Sequence, residues 1–210
     1  MTKTYILLLL LFVSSCAYVE YGRLPSTIKT AIVGVDDFII DKQYFDSMDY
    51  SFIKVRTGKS SIAIFVLADI TDEKYKWVSA EGEILVTING KIVQLYSDSL
   101  SFSFADLNPM RNFFPSSKFV SSLEYILHLD SPKAFLIQQA TINRSSLGEI
   151  YFLGKAKKVD IFEEKVVTNV LSWNYVNKYW VSDSGLVLQA EQKIHPFLDK
   201  TIGIEFYYKY

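Results

Sequence analysis

The sequence predicts a mainly β protein: a single antiparallel β-sandwich or open β-barrel-like domain with a few short helices. Three observations lead there. Fourteen Tyr, fifteen Phe and three Trp stand among many Val, Ile and Thr residues, and such side chains fit a pleated, half-buried surface. "EILVTINGKIVQL" sets Asn89-Gly90 between two alternating stretches; both residues tolerate the positive φ that a two-residue type I′ hairpin turn demands. Near the carboxyl end Ile202, Ile204, Phe206, Tyr208 and Tyr210 recur at period two, the pattern of a strand with one buried face.

Composition sets limits on function. Half of the 210 residues are hydrophobic and 21% are charged, the balance of one core-forming domain. The net charge of −1 comes from 22 basic and 23 acidic residues. A chain so near neutral lacks the basic face with which a nucleic-acid binder releases counterions.

The amino terminus reads as an export signal. Lys3 supplies a small positive charge, "YILLLLLFV" an apolar run too short to span a bilayer, and "SSC" a small-residue end. "VSSC", Val13 to Cys16, resembles the bacterial lipobox. That resemblance implies cleavage between Ser15 and Cys16, a diacylglyceryl group on the Cys16 thiol and acylation of the new amino terminus. One chain anchors marginally, at about 0.8 kcal/mol per buried methylene, whereas two or three hold stably. Ala17, where Asp is the usual inner-membrane retention signal, resembles the outer-membrane-sorted class of a Gram-negative bacterium. Cys16 is the only cysteine, so the mature chain has no thiol for disulfides, metal thiolates or nucleophilic catalysis. The expected organisation is a signal peptide over 1–15, a lipidated tether over 16–27 and an all-β domain over 28–210.

Along the domain, Ser26 or Thr27 is expected to cap a short helix through "TIKTAIVG", and Asp41 a second at "DKQYFDSM". "SFIKVR" alternates as a strand. "SIAIFVLA" is apolar on both faces and predicts a central strand covered on both sides. Ile84, Val86 and Ile88 are expected to form the inward side of the Asn89-Gly90 hairpin. "SDSLSFSFADLNPMRNFFPSS" reads as loop, and Phe119, Leu123, Ile126 and Leu127 fall at helical spacing. "KAFLIQQATI", "GEIYFLGKAKKV" and "EKVVTNVLSWNYV" read as strands, the last with Val167, Leu171, Trp173 and Tyr175 on one face. "YWVSDSGLVLQAEQ" reads as a second hairpin with a four-residue turn.

Signals for chemistry are sparse. "TGKSS" at 57–61 holds the GKS of a phosphate loop, but Ile53 stands where the leading glycine belongs. His128 and His195 lie 67 residues apart in a chain with one cysteine, so no metal site and no cofactor are expected; His128 reads as a structural residue. Acidic clusters, Asp36-Asp37 with Asp41 and Asp69-Asp72-Glu73, fall in expected turns and caps. Trp77, Tyr179 and Trp180 are candidates for stacking against sugar rings, although Tyr179 and Trp180, as strand neighbours, point to opposite faces.

"WVSAEGEILVTINGKIV" (Trp77 to Val93) and "NYVNKYWVSDSGLVLQAEQKI" (Asn174 to Ile194) resemble the YjbF/GfcB (YmcC) family of exopolysaccharide and capsule lipoproteins. The opening "TAIVGVDDFIIDKQYFDSMDYSFIKVR" and the lipobox fit the same family. Departures occur at Ala190, Met48-Asp49 and the stretch 97–135. The resemblance implies an all-β domain and a non-enzymatic lipoprotein on the periplasmic face of the outer membrane. It further implies a role in production or export of extracellular or capsular polysaccharide, with export proteins or the polysaccharide itself as partners. It carries over no catalytic residues. The alternative is a glycan-modifying hydrolase or lyase using an Asp/Glu pair.

Overall fold

The computed structural model describes residues 38–60, 62–114 and 121–209. Cys16 and the helix expected at "TIKTAIVG" lie outside the described residues. Among the described residues twelve strands follow in order: β1 (Phe52–Thr57), β2 (Ile62–Thr71), β3 (Lys74–Ser79), β4 (Ile84–Ile88), β5 (Lys91–Tyr96), β6 (Ser101–Phe104), β7 (Ser121–Asp130), β8 (Lys133–Phe152), β9 (Lys155–Thr168), β10 (Tyr175–Val181), β11 (Val187–Gln192) and β12 (Ile202–Tyr207). Helix α1 (Lys42–Ser47) precedes β1, and α2 (Asn108–Arg111) lies between β6 and β7. Each strand pairs antiparallel with its sequence neighbour, and β1 pairs with β12. The all-β, antiparallel expectation holds, but the sheet closes: it is a twelve-stranded barrel, neither a sandwich nor open. Pairing Phe52 with Tyr207 through Thr57 with Ile202 removes both free edges.

Local sequence explains many elements. Asp41 caps α1 by accepting from the Tyr44 N–H at 2.7 Å. Asn89 and Gly90 adopt φ of 48° and 73° between β4 and β5, as the hairpin turn requires. Gly90 is needed for space as well, because a Cβ there would lie 2.7 Å from the Val187 side chain. Trp77 pairs with Leu85, Leu85 with Leu95, Leu95 with Phe102 and Phe102 with Leu129, so one layer of the lumen crosses five strands.

Several expectations fail for identifiable reasons. The segment read as a helix at 119–127 is described from Ser121 as strand β7, with Tyr125, Leu127 and Leu129 buried and Glu124 and Ile126 exposed. Leu123, Ile126 and Leu127 fit a helical period by coincidence; Tyr125 and Leu129 complete the period of two. The stretch read as loop contains β6, whose Phe102 and Phe104 are buried. In β2 only Phe65 is buried, so the strand is not covered on both sides. In β4, Leu85, Val86, Thr87 and Ile88 are all buried and Ile84 is half-buried, because a bulge between Val86 and Thr87 breaks the alternation. Val167, Leu171, Trp173 and Tyr175 do not share a buried face: β9 ends at Thr168, Leu171 and Ser172 take positive φ, and only Tyr175 is buried.

The β8–β9 hairpin outruns its neighbours. β10 pairs with β9 from Asp160 to Val166, leaving Gly148–Phe152 and Lys155–Val159 paired only with each other. Ile150, Phe152 and Val159 form a second apolar cluster with Phe52, Leu188 and Tyr207, joined by Tyr44, Phe45 and Met48 at α1. Phe152 and Phe52 both stack on Tyr207, at 5.1 and 4.8 Å. A bulge between Arg144 and Ser146 interrupts the register of this hairpin.

Inside the barrel, Lys91 of β5 reaches Glu164 of β9, with Nζ 2.7 and 2.9 Å from the two carboxylate oxygens. Both residues are buried. Asn177 and Tyr179 donate to the same carboxylate at 2.7 and 2.9 Å. The ammonium also faces the rings of Tyr125, Phe104 and Phe113 at 4.8–5.6 Å. Burial and the nearby negative charge of Glu164 push the Tyr125, Tyr175 and Tyr179 hydroxyls far above the usual tyrosine range, so all three stay protonated. Gln192 completes the network, donating to Gly90 O at 2.8 Å and accepting from Ile92 N–H at 2.9 Å. Lys91→Met should destabilise the barrel by about 3–5 kcal/mol in urea unfolding, because an uncompensated carboxylate remains buried. Adding Glu164→Gln should recover part of that loss, since the amide still accepts from Asn177 and Tyr179 without a charge.

Candidate functional site

The two barrel ends differ. At the end carrying the β4–β5 turn, the β6–β7 connection sends Met110 and Phe113 into the lumen, where both are fully buried. Asn89 holds this plug in place, its side-chain amide donating to the carbonyls of Met110 and Arg111 at 2.8 and 3.1 Å. Phe113 and Phe114 pack edge-on against Tyr179, at 5.1 and 5.5 Å.

The opposite end, formed by the β1–β2, β3–β4, β5–β6, β7–β8, β9–β10 and β11–β12 connections, holds a cavity of about 580 Å³. That volume falls within the range of about 300–1,000 Å³ for small-molecule sites. Its depth is apolar, with Phe65, Leu85, Leu95 and Ile202 buried. Its rim carries Glu83, Ser99 and Ser131 on the inter-strand turns. His195, on the β11–β12 connection, is buried among the lining residues. Its Nδ1 accepts from the Phe197 N–H at 3.2 Å, which leaves the proton of the neutral ring on Nε2. That Nε2 is buried with no hydrogen-bond partner. Burial lowers the pKa of the ring from the usual 6.5, since a charged imidazolium would have to be desolvated.

The stacking candidates separate. Trp77 is fully buried in the lumen and its indole N–H donates to Thr87 Oγ1 at 2.9 Å. Tyr179 is fully buried beside Glu164. Neither ring presents a face to a ligand. Trp180 points the other way, half-buried on the outer wall, where with Lys54, Gln189, Glu191 and Glu205 it lines a depression over Gly203. Lys54 and Glu205 pair across that floor at 2.6 Å. His128 stacks flat on Phe135, at 4.5 Å and 7°. No group of three or more His, Cys, Asp or Glu suited to a metal occurs among the described residues. Sequence reasoning missed Lys91, Glu164 and the setting of His195, because nothing local marks a charge for burial across 73 residues of chain.

His195 gives a pH dependence of defined sign. Its folded pKa lies below the unfolded one, so the unfolded chain takes up the proton first as pH falls. The stability contributed by the neutral ring is complete above about pH 6.5 and declines below it, at up to about 1.4 kcal/mol per pH unit. Unfolding free energies measured between pH 7 and 5 should fall less steeply for His195→Gln than for the natural chain.

Comparison with known proteins places this architecture. A solved structure of the hypothetical lipoprotein YmcC from Escherichia coli K12 superposes with a TM-score of 0.70 at 19% identity, over 89% of this chain and 96% of that one. The likeness shows that the two share a fold. The uncharacterized lipoprotein GfcB of the same organism is 22% identical over 191 residues, 88% of each chain. The family model described as group 4 capsule polysaccharide lipoprotein GfcB, YjbF matches residues 25–205. The chain belongs to the YjbF family of capsule polysaccharide lipoproteins.

Proposed function

We propose that the protein is a non-catalytic lipoprotein anchored through Cys16 on the periplasmic face of the outer membrane, where it assists production or export of capsular or extracellular polysaccharide. The reading rests on one conjunction: the "VSSC" lipobox at Val13–Cys16 stands in a chain of a capsule polysaccharide lipoprotein family. Two acyl chains or more on one residue give stable membrane attachment without a spanning helix.

Asp36 and Asp37 lie outside the described residues, and the other acids of the two clusters singled out in the sequence serve turns and caps, which favours this role over a hydrolase or lyase. Asp41 caps α1. Asp69 accepts from the Thr71 hydroxyl at 2.7 Å. Asp72 and Glu73 form the β2–β3 turn at positive φ, and Glu73 pairs with Arg111 at 3.3 Å. Glu164 is committed to Lys91. Glycan contact falls to the outer-wall depression, where Trp180 lies beside Gln189 and Glu191, an indole flanked by planar polar groups.

Deleting the gene in a strain that makes the polymer should lower its surface polysaccharide. The natural gene should restore it, and Cys16→Ser, which removes the acyl acceptor, should not. Unaltered polymer after deletion overturns the reading. In gels containing the polymer, retardation of the protein should weaken several-fold for Trp180→Ala and stay unchanged for His128→Ala.

A further inference from the structure

The barrel mouth has a polarity gradient that a plain core does not need. Phe65, Leu85, Leu95 and Ile202 make its depth apolar, while Glu83, Ser99 and Ser131 bring a carboxylate and hydroxyls to its rim. At the opposite end Met110 and Phe113 plug the lumen and Asn89 satisfies the plug's carbonyls, which leaves a smaller cavity of about 370 Å³. At the mouth, the side chains enclose a space of about 580 Å³.

We propose that the mouth binds a single-chain amphiphile, with its apolar chain among Phe65, Leu85 and Leu95 and a hydroxyl-bearing head on the Glu83, Ser99 and Ser131 rim. Apolar depth suits a chain, since burial of methylenes drives entry. Glu83 accepts hydroxyl protons, and the two serines both donate and accept, which suits a polyol head. This inference stands apart from the capsule reading, and its test does not involve polysaccharide.

The test is titration calorimetry on the full chain carrying Cys16→Ser, so that no acyl group of its own is attached. The probes are octyl maltoside, decyl maltoside and maltose, all below micelle-forming concentrations. One saturable site is expected, about tenfold tighter for decyl than for octyl maltoside, with no heat from maltose. Ala63→Trp, which fills the cavity, should abolish binding. Ser99→Trp on the exposed rim should weaken it at least tenfold and serves alone if the first variant does not fold. Tyr151→Ala, exposed on the β8–β9 hairpin at the end away from the mouth, should leave binding unchanged. Absence of saturable binding, equal affinity for the two chain lengths, maltose binding as tightly as decyl maltoside, or binding that survives the filling variants overturns the proposal.

Discussion

Closing twelve strands on themselves fixes the width of the lumen, and most of the molecule answers that constraint. Eight strands leave an interior that side chains alone can fill, and sixteen or more leave a channel. At twelve, inward side chains must be large, and something else must enter. Trp77, Phe102, Tyr125, Tyr179 and Phe206 supply bulk from the wall. Met110 and Phe113 arrive from a connection rather than a strand. Gln192 spans from β11 to Gly90 and Ile92 at the start of β5, drawing facing walls together. After these three devices the mouth keeps about 580 Å³, and the plugged end a smaller space of about 370 Å³ beside Phe113 and Phe162.

The Lys91–Glu164 pair belongs to the same solution. Desolvating two charges costs more than a simple pair returns, unless the remaining hydrogen-bonding capacity is also met. Here Asn177 and Tyr179 complete the carboxylate, and three aromatic faces surround the ammonium. The arrangement fixes position more than it adds stability. Lys91 follows the Asn89-Gly90 turn directly, so an ion pair to β9 sets where that hairpin stands against the far wall. A shift of β5 by one residue would turn Lys91 to the outer wall and leave Glu164 uncompensated.

What the sequence makes legible follows from the range of the interaction. The Asp41 cap and the Asn89-Gly90 turn are settled within four residues, and both are found as read. The alternation of Ile202, Ile204 and Phe206 is settled within one strand, and all three are buried. β7 was open to misreading because its apolar residues satisfy two periods over a short window, and the missing arbiter was Tyr125 against Leu129 in a shared lumen. Closure depends on β1 meeting β12 across about 150 residues, a pairing that no local pattern encodes. The mouth was invisible for the same reason: its walls come from strands and turns spread along the whole domain, and His195 in isolation looks like any histidine before a proline.

β10 shows how the barrel separates its tasks. Tyr175, Asn177, Tyr179 and Val181 are buried, while the residues between them face outward. Tyr179 bonds Glu164 and packs on the plug. Its neighbour Trp180 packs against the cluster under the β8–β9 hairpin and lines the outer depression. Adjacent in the chain, the two rings belong to different apolar clusters and share no hydrogen-bonding partner among the described contacts. Energetic coupling between sites needs shared partners or a common cavity, so the sheet insulates its outer wall from its lumen. A surface contact on Trp180 can therefore change without disturbing the ion pair that positions the strands. The mouth lacks that insulation, because its depth is made by Leu85 and Leu95, members of the same layer as Trp77 and Phe102. Whatever fills the mouth packs directly on the core, and occupancy there stabilises the whole barrel.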